Sequence, residues 1–207
     1  MVTTIALLGA GRIGKVHAKA IAEDKRARLV AVADAMAPAA AAIAEATGAA
    51  VMTIDAIEAD DSIDAVIICT PTNTHADLIE RFARAGKAVF CEKPVDLGVA
   101  RAHACADVVR EVGGRVMLGF NRRFDPHFLA VRKAIDDGRI GDVEMVTIVS
   151  RDPGPPPAEY IKVSGGMFRD MTIHDFDMAR FLLGEEIATV SGTASVLVNP
   201  EIGELGD

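Results

Sequence analysis

The sequence predicts an α/β fold: a doubly wound parallel sheet at the front of the chain, followed from Gly119 by a segment of different character. Three observations carry this reading. Short apolar runs alternate with helix-patterned stretches as far as Leu118. The first apolar run, Ile5-Ala6-Leu7-Leu8, passes through Gly9-Ala10-Gly11-Arg12-Ile13-Gly14 straight into a helical pattern marked by Val16, Ala20 and Ile21. The run Ala65-Val66-Ile67-Ile68-Cys69 is almost unbroken in its apolarity, as expected of a strand covered on both faces.

The glycine-rich turn has a mechanical reading. Gly9 makes the turn, Gly11 lets the backbone approach a pyrophosphate, and Gly14 lets helix and strand pack closely. Arg12, Ile13 and Gly14 open the helix, where unpaired N–H groups and the positive dipole end favour an anion. A second apolar run, Leu29 to Ala33, ends in Asp34, twenty residues beyond Gly14, where a carboxylate accepts from ribose hydroxyls. Such a carboxylate repels the extra phosphate of NADP, and Ala35 and Met36 bring no compensating charge, so NAD is the expected cofactor. Arg12 is the residue that could still attract a phosphate.

Further along, Ala37 to Ala50 reads as a helix, with Pro38 in its first turn and Gly48 as its stop. Val51-Met52 follows as a short strand and Ile54 to Asp60 as a short helix. Beyond the strand at residues 65–69, Thr70-Pro71-Thr72-Asn73-Thr74-His75 forms a turn in which Asn73 or Thr74 caps a helix from Ala76 to Ala85. Residues just past the carboxyl ends of parallel strands line the ligand crevice, so Thr70, Pro71, Asn73 and His75 are candidate cofactor contacts. For His75 a solvated histidine at a helix start weighs equally. The strand Ala88 to Cys91 runs into Glu92-Lys93-Pro94, two opposite charges at the end of a buried strand. Spacing alone leaves Lys93 open between a surface lysine and a functional one. A helix over Val99–Val112 and a strand over Arg115–Leu118 complete about six strands.

After Gly119 come a polar junction, Phe120 to Pro126, and an amphipathic helix from His127 to Asp137. Arg122 and Arg123 could bind a ligand or tie elements together, with the structural role favoured for Arg123. Glu144 to Val149 and Ile187 to Val198 read as strands, and residues 152–157 as a proline-rich loop. Gly165 to Asp177 opens a helix that runs to Leu183 and places Asp170 and His174 on one face. That spacing suits a carboxylate orienting an imidazole, although polar pairs four apart are common for structural reasons. The domains expected are 1–120, binding the dinucleotide, and 121–207, a partial second domain.

Composition narrows the function. The chain has 207 residues, half of them hydrophobic, and a formal net charge of −8, so a substantial core is expected and a basic nucleic-acid surface is not. No apolar run approaches a membrane span, and the amino terminus has no leader-like pattern. The cysteines Cys69, Cys91 and Cys105 lack C-x-x-C spacing, which points to a reduced, cytoplasmic setting without a structural metal.

Taken together, Gly9–Gly14, Thr70-Pro71, Glu92-Lys93-Pro94, residues 119–126 and Asp170-x-x-x-His174 resemble, in order, the Gfo/Idh/MocA family of NAD(P)-dependent oxidoreductases. The resemblance implies that Lys93, Asp170 and His174 form the catalytic set and also contact substrate. It places Asp34 on the adenosine ribose, Glu92 and Lys93 near the cofactor, and Arg122 near the substrate. It further implies a Rossmann domain followed by the start of an α+β domain with a mostly antiparallel sheet. The activity implied is NAD-dependent oxidation of a ring secondary alcohol of a polyol such as myo-inositol, by a homo-oligomer, dimer or tetramer, in the full-length form. The alternatives are a related sugar dehydrogenase or a truncated chain that binds NAD without turnover, since members of the family are longer and this sequence reads as a fragment.

Overall fold

Continuous apolar segments are stable as strands where both faces are covered. In a computed structural model, which describes residues 2–197 and 200–204, six of them form one parallel sheet. The strands are β1 (Thr3–Leu8), β2 (Ala27–Ala33), β3 (Ala50–Val51), β4 (Ala65–Ile68), β5 (Ala88–Cys91) and β6 (Val116–Leu118). Their order is β3-β2-β1-β4-β5-β6, with every neighbouring pair parallel. This is the doubly wound order in which the chain reverses direction beside β1, leaving a crevice between the carboxyl ends of β1 and β4. The chain divides into two compact units, Met1–Gly119 and Phe120–Asp207.

In the first unit, five helices cover the sheet: α1 (Arg12–Glu23), α2 (Ala37–Thr47), α3 (Ile54–Ala59), α4 (His75–Arg84) and α5 (Val99–Glu111). Alternation along β1 divides the core into two layers. Leu7 joins Val32, Ala18, Ile21 and Ile43, while Ala6 and Leu8 join Val66, Ile68, Ile79 and Phe82. The alanine-rich α2 is helical, as its propensity requires, and stops at Gly48, whose φ of +75° suits a residue without Cβ. Arg81 pairs with Asp55 and Glu58 of α3, and Arg101 of α5 pairs with Asp77 and Glu80 of α4, so the helices on one face are cross-linked by charge. Lys87 is buried and donates from Nζ to the carbonyls of Asp60, at 2.7 Å, and Ile63, at 3.1 Å, tying the turn before β4 to the start of β5.

The second unit contains α6 (Pro126–Asp136), α7 (Ala158–Ser164), α8 (Gly166–Asp170), α9 (Ile173–Leu183) and α10 (Pro200–Glu204). Asp125 caps α6, its Oδ1 accepting from His127 N at 2.8 Å. Two expectations fail here. Residues 144–149 and 187–197 form no strand, and Val198, the expected end of the second, lies outside the described residues. Alternation makes a segment compatible with a strand, but a strand exists only with a hydrogen-bonding partner, and neither segment pairs. An antiparallel sheet is therefore absent among the described residues of this unit. The single helix expected to end at Leu183 is instead divided at 171–172. There the Thr172 amide reaches back five residues to Met167 O, at 2.9 Å, so Asp170 closes α8 and His174 stands in the first turn of α9. Among the described residues no helix is long and apolar enough to cross a membrane.

All three cysteines belong to the first unit, with Cys91 and Cys105 buried in its core. Burial pushes the Cys69 thiol up to about 12 and raises Cys91 and Cys105 as well. Burial thus keeps these thiols protonated near pH 8. A disulfide reagent such as Ellman's should leave the native thiols unreacted over minutes and titrate them once guanidinium unfolds the chain. The folded state holds protons that the unfolded state releases above about pH 8.5, so the unfolding free energy should fall as pH rises past that point.

Candidate active site

The glycine turn fills the space between β1 and α1 with backbone. Gly9 has φ +97°, and its amide donates to Ala33 O at 2.8 Å. A Cβ at Gly9 would lie 2.5 Å from Cys69 O, and one at Gly14 would lie 2.0 Å from Gly9 O. At Gly11 the corresponding position is open, with nothing within 4 Å. The backbone is therefore bare where α1 begins, with Arg12 exposed and Ile13 half-buried, and the first-turn N–H groups form an anion site. Beside the turn, Asp34 Oδ2 accepts from Ala10 N at 2.6 Å and Oδ1 from Met36 N at 2.7 Å. Two main-chain bonds hold this carboxylate at the end of β2 with lone pairs to spare for further donors. A bare backbone at a helix start and a fixed carboxylate beside it fit a dinucleotide, its pyrophosphate at the amides and its ribose at Asp34.

The ends of β4 and β5 border the same edge of the sheet. Thr72–Thr74 form a single 3-10 turn, with Pro71 and Asn73 exposed and Thr70 half-buried. The expected cap on α4 is not made. Thr74 Oγ1 donates to Pro71 O at 2.8 Å and lies 2.6 Å from Thr70 Oγ1, and α4 starts at His75 without a side-chain cap. His75 is neither solvated nor turned outward. It is buried, with Nδ1 2.7 Å from Pro94 O and Nε2 2.8 Å from Thr70 O. Glu92 Oε1 lies 2.7 Å from His17 Nε2, and a Cβ at Gly119 would come within 3.0 Å of the same carboxylate. Phe90 packs edge-on against the His17 ring, with centroids 5.1 Å apart. His17 was not among the predicted site residues, although its place one turn into α1 was a usable signal. Lys93 is half-buried and its peptide bond to Pro94 is cis.

In the second unit, His174 meets the Phe120 ring edge-on, with centroids 6.2 Å apart at 85°. Arg122 pairs with Asp175, whose Oδ1 also accepts from Ser150 Oγ at 2.6 Å. The predicted substrate-side arginine thus has a carboxylate partner within its own unit. Arg123 forms a two-pronged pair with buried Asp177, through Nε at 2.8 Å and Nη2 at 2.6 Å, and its guanidinium lies 5.5 Å from the centre of the Phe181 ring. Asp175, Asp177 and Ser150 were not singled out from the sequence, since each meets its arginine across a separation of 28 to 54 residues. No group of three His, Cys, Asp or Glu is arranged to hold a metal among the described residues.

Residues 3–120 match the model of an oxidoreductase family with an NAD-binding Rossmann fold, and residues 128–204 match the GFO/IDH/MocA C-terminal domain. The chain belongs to the GFO/IDH/MocA oxidoreductase family. It is 70% identical over 207 residues to the inositol 2-dehydrogenase of Rhizobium meliloti, covering all of this chain and 63% of that protein. It is 43% identical to the myo-inositol 2-dehydrogenase of Thermotoga maritima, over 98% of this chain and 61% of that one. Among solved structures, a myo-inositol dehydrogenase from Corynebacterium glutamicum superposes with TM-score 0.94 at 46% identity, over 100% of this chain and 62% of that one. The scyllo-inositol dehydrogenase from Lactobacillus casei, solved with NAD(H) and scyllo-inositol, superposes with TM-score 0.89 at 31% identity, over 100% and 63%. The chain thus spans about three-fifths of the length of these relatives.

For this GFO/IDH/MocA chain the fixed Asp34 carboxylate gives an electrostatic expectation. NADH should bind at least about tenfold more tightly than NADPH, and Asp34→Ala should weaken NADH and narrow that ratio. Fluorescence titration of both nucleotides measures it. The Arg123–Asp177 pair gives a second one. Asp177→Ala leaves a guanidinium without its buried partner and should cost about 2–4 kcal/mol in a denaturant melt, against about 1 kcal/mol for the Asp125→Ala cap variant.

Proposed function

We propose that the chain forms the cofactor-binding and proton-transfer part of an NAD-dependent dehydrogenase that oxidises a ring secondary alcohol of myo-inositol, or a close isomer, to the ketone. The observation that carries the cofactor half is Asp34, fixed by two main-chain amides beside a glycine turn whose backbone is open at Gly11. The substrate half is supported by the 70% identity, over the whole of this chain, to a protein named inositol 2-dehydrogenase.

Bound NAD would supply the hydride acceptor. The chain's own residues handle the proton and the charge. His174 takes the hydroxyl proton, a task suited to an imidazole. Asp170, which closes α8 just before α9 begins, is the carboxylate assigned to orient the ring and favour its cationic form. The Lys93 ammonium donates to the reacting oxygen and stabilises its alkoxide character as the hydride leaves carbon. Arg122, braced by Asp175 and Ser150, is assigned the role of a positioning group for the substrate. Thr70, Pro71, Asn73 and Glu92 border the cofactor from the strand ends.

Formation of NADH at 340 nm with myo-inositol, scyllo-inositol and aldoses tests the reading directly. The inositols should be the better substrates, and an aldose preference would replace this reading with a sugar dehydrogenase. His174→Ala should lower kcat by about 10²–10⁴-fold with NADH affinity within about twofold of the parent chain. Lys93→Met should likewise lower kcat far more than it alters NADH binding.

A further inference from the structure

The last ladder bond between β4 and β5 runs from Glu92 N to Ile68 O, at 3.0 Å. Two residues further along each strand, at Thr70 and Pro94, the connection is carried by a side chain. His75 places Nε2 2.8 Å from Thr70 O and Nδ1 2.7 Å from Pro94 O. Its residue surface is only 2% exposed. Both partners are carbonyl oxygens, which only accept, so a neutral ring, with its one N–H, donates to one of them and packs against the other, and only the imidazolium donates to both. Burying an imidazole is costly unless its polar atoms are satisfied, a cost that an apolar side chain would not carry. Packing therefore does not account for a histidine here.

We infer that His75 is a positioning residue, a clamp between the Thr70 loop and the segment carrying Lys93. The ring reaches that segment one residue beyond Lys93, at Pro94 O. It thereby limits where the backbone of residue 93 can lie and, through it, where the ammonium can reach. The clamp has a rigid base. His75, Leu78, Ile79 and Phe82 form the buried face of α4, and Cys105 of α5 packs in the same core. His75 is accordingly not a cofactor contact but the part that holds two loops of the cofactor edge in register. Its consequence for turnover rests on the role given to Lys93 above.

Hydrogen exchange followed by mass spectrometry tests the clamp without any need for turnover. In His75→Leu, amides in residues 92–98 should exchange about tenfold faster, while the peptides of α1 and β2 stay within about twofold of the parent chain. His75→Gln retains a donor and should show a smaller rise, about threefold, at the same segment. Exchange at 92–98 within about twofold of the parent in His75→Leu, or an equal rise in α1 and β2, would overturn the inference. If His75→Leu does not fold, His75→Gln decides: a rise confined to 92–98 supports the clamp, and no rise overturns it. In the turnover assay His75→Leu should lower kcat by about 10-fold or more with the KM for NAD within about threefold, and His75→Gln should recover part of that loss. An unchanged kcat in a variant whose 92–98 exchange has risen would remove the link to Lys93 but leave the clamp standing. A parent chain that oxidises no inositol would defeat the reading of the reaction, and the exchange measurement would still decide the clamp.

Discussion

The first unit depends on a contact with no room in it. The carbonyl of Gly9 occupies the place where a side chain on residue 14 would begin, and the carbonyl of Cys69 occupies the place where one on residue 9 would begin. Strand, turn and helix are pressed together backbone to backbone, and β4 is drawn against the same point from the other side. Such an approach cannot be reached gradually from a bulkier sequence, because one methyl group at either position must displace main chain rather than a flexible side chain. The open backbone at Gly11 follows from this, as does the short distance that lets Asp34 accept from Ala10.

The two units solve the problem of cohesion differently. In the first, apolar residues of the strands are sandwiched between two helical layers, and charges decorate the outside in cross-links between α3, α4 and α5. In the second, the buried apolar residues among those described are Ile161, Met178 and Leu182, with no sheet to assemble more. Arginine chemistry compensates there. Arg123 and Arg132 both approach the Phe181 ring, Arg123 grips Asp177, and Arg132 donates to the carbonyls of Phe181 and Leu182 at the end of α9. A guanidinium serves this purpose because it can stack on an aromatic face and satisfy carbonyls or a carboxylate at once.

The legible part of the fold was the part whose signals are local. Buried parallel strands read as short apolar runs between Gly, Asp and Pro, which is why β1, β2, β4, β5 and β6 stand within a residue or two of their expected places. A glycine at a helix end, such as Gly48, marks a stop by its own backbone preference. What was not legible depends on partners. The alternation in residues 144–149 is a real pattern, but a pattern cannot provide the neighbouring strand. The pairing of Arg123 with Asp177 spans 54 residues, and nothing near either residue announces it. At the break at 171–172 one carbonyl, that of Met167, accepts from the amides of both Met171 and Thr172, a choice that local propensity does not decide.

His75 lies between these two classes. By itself a histidine at the start of a helix reads equally as solvated or as a ligand contact. The deciding signal was present three, four and seven residues later. Leu78, Ile79 and Phe82 recur at helical spacing from position 75, so the face that buries them must bury the histidine too. Once inside, an imidazole has to find polar partners, and at the carboxyl end of a parallel sheet the polar groups left over are the carbonyls of the departing loops. Burial by periodicity, followed by satisfaction of what is buried, turns an uninformative residue into a structural bond between two strand ends. The same two-step reasoning applies to Lys87, which is buried at the opposite end of β5 and spends its ammonium on the carbonyls of Asp60 and Ile63. Side-chain bonds to main-chain carbonyls therefore continue the β4–β5 connection beyond both ends of its ladder.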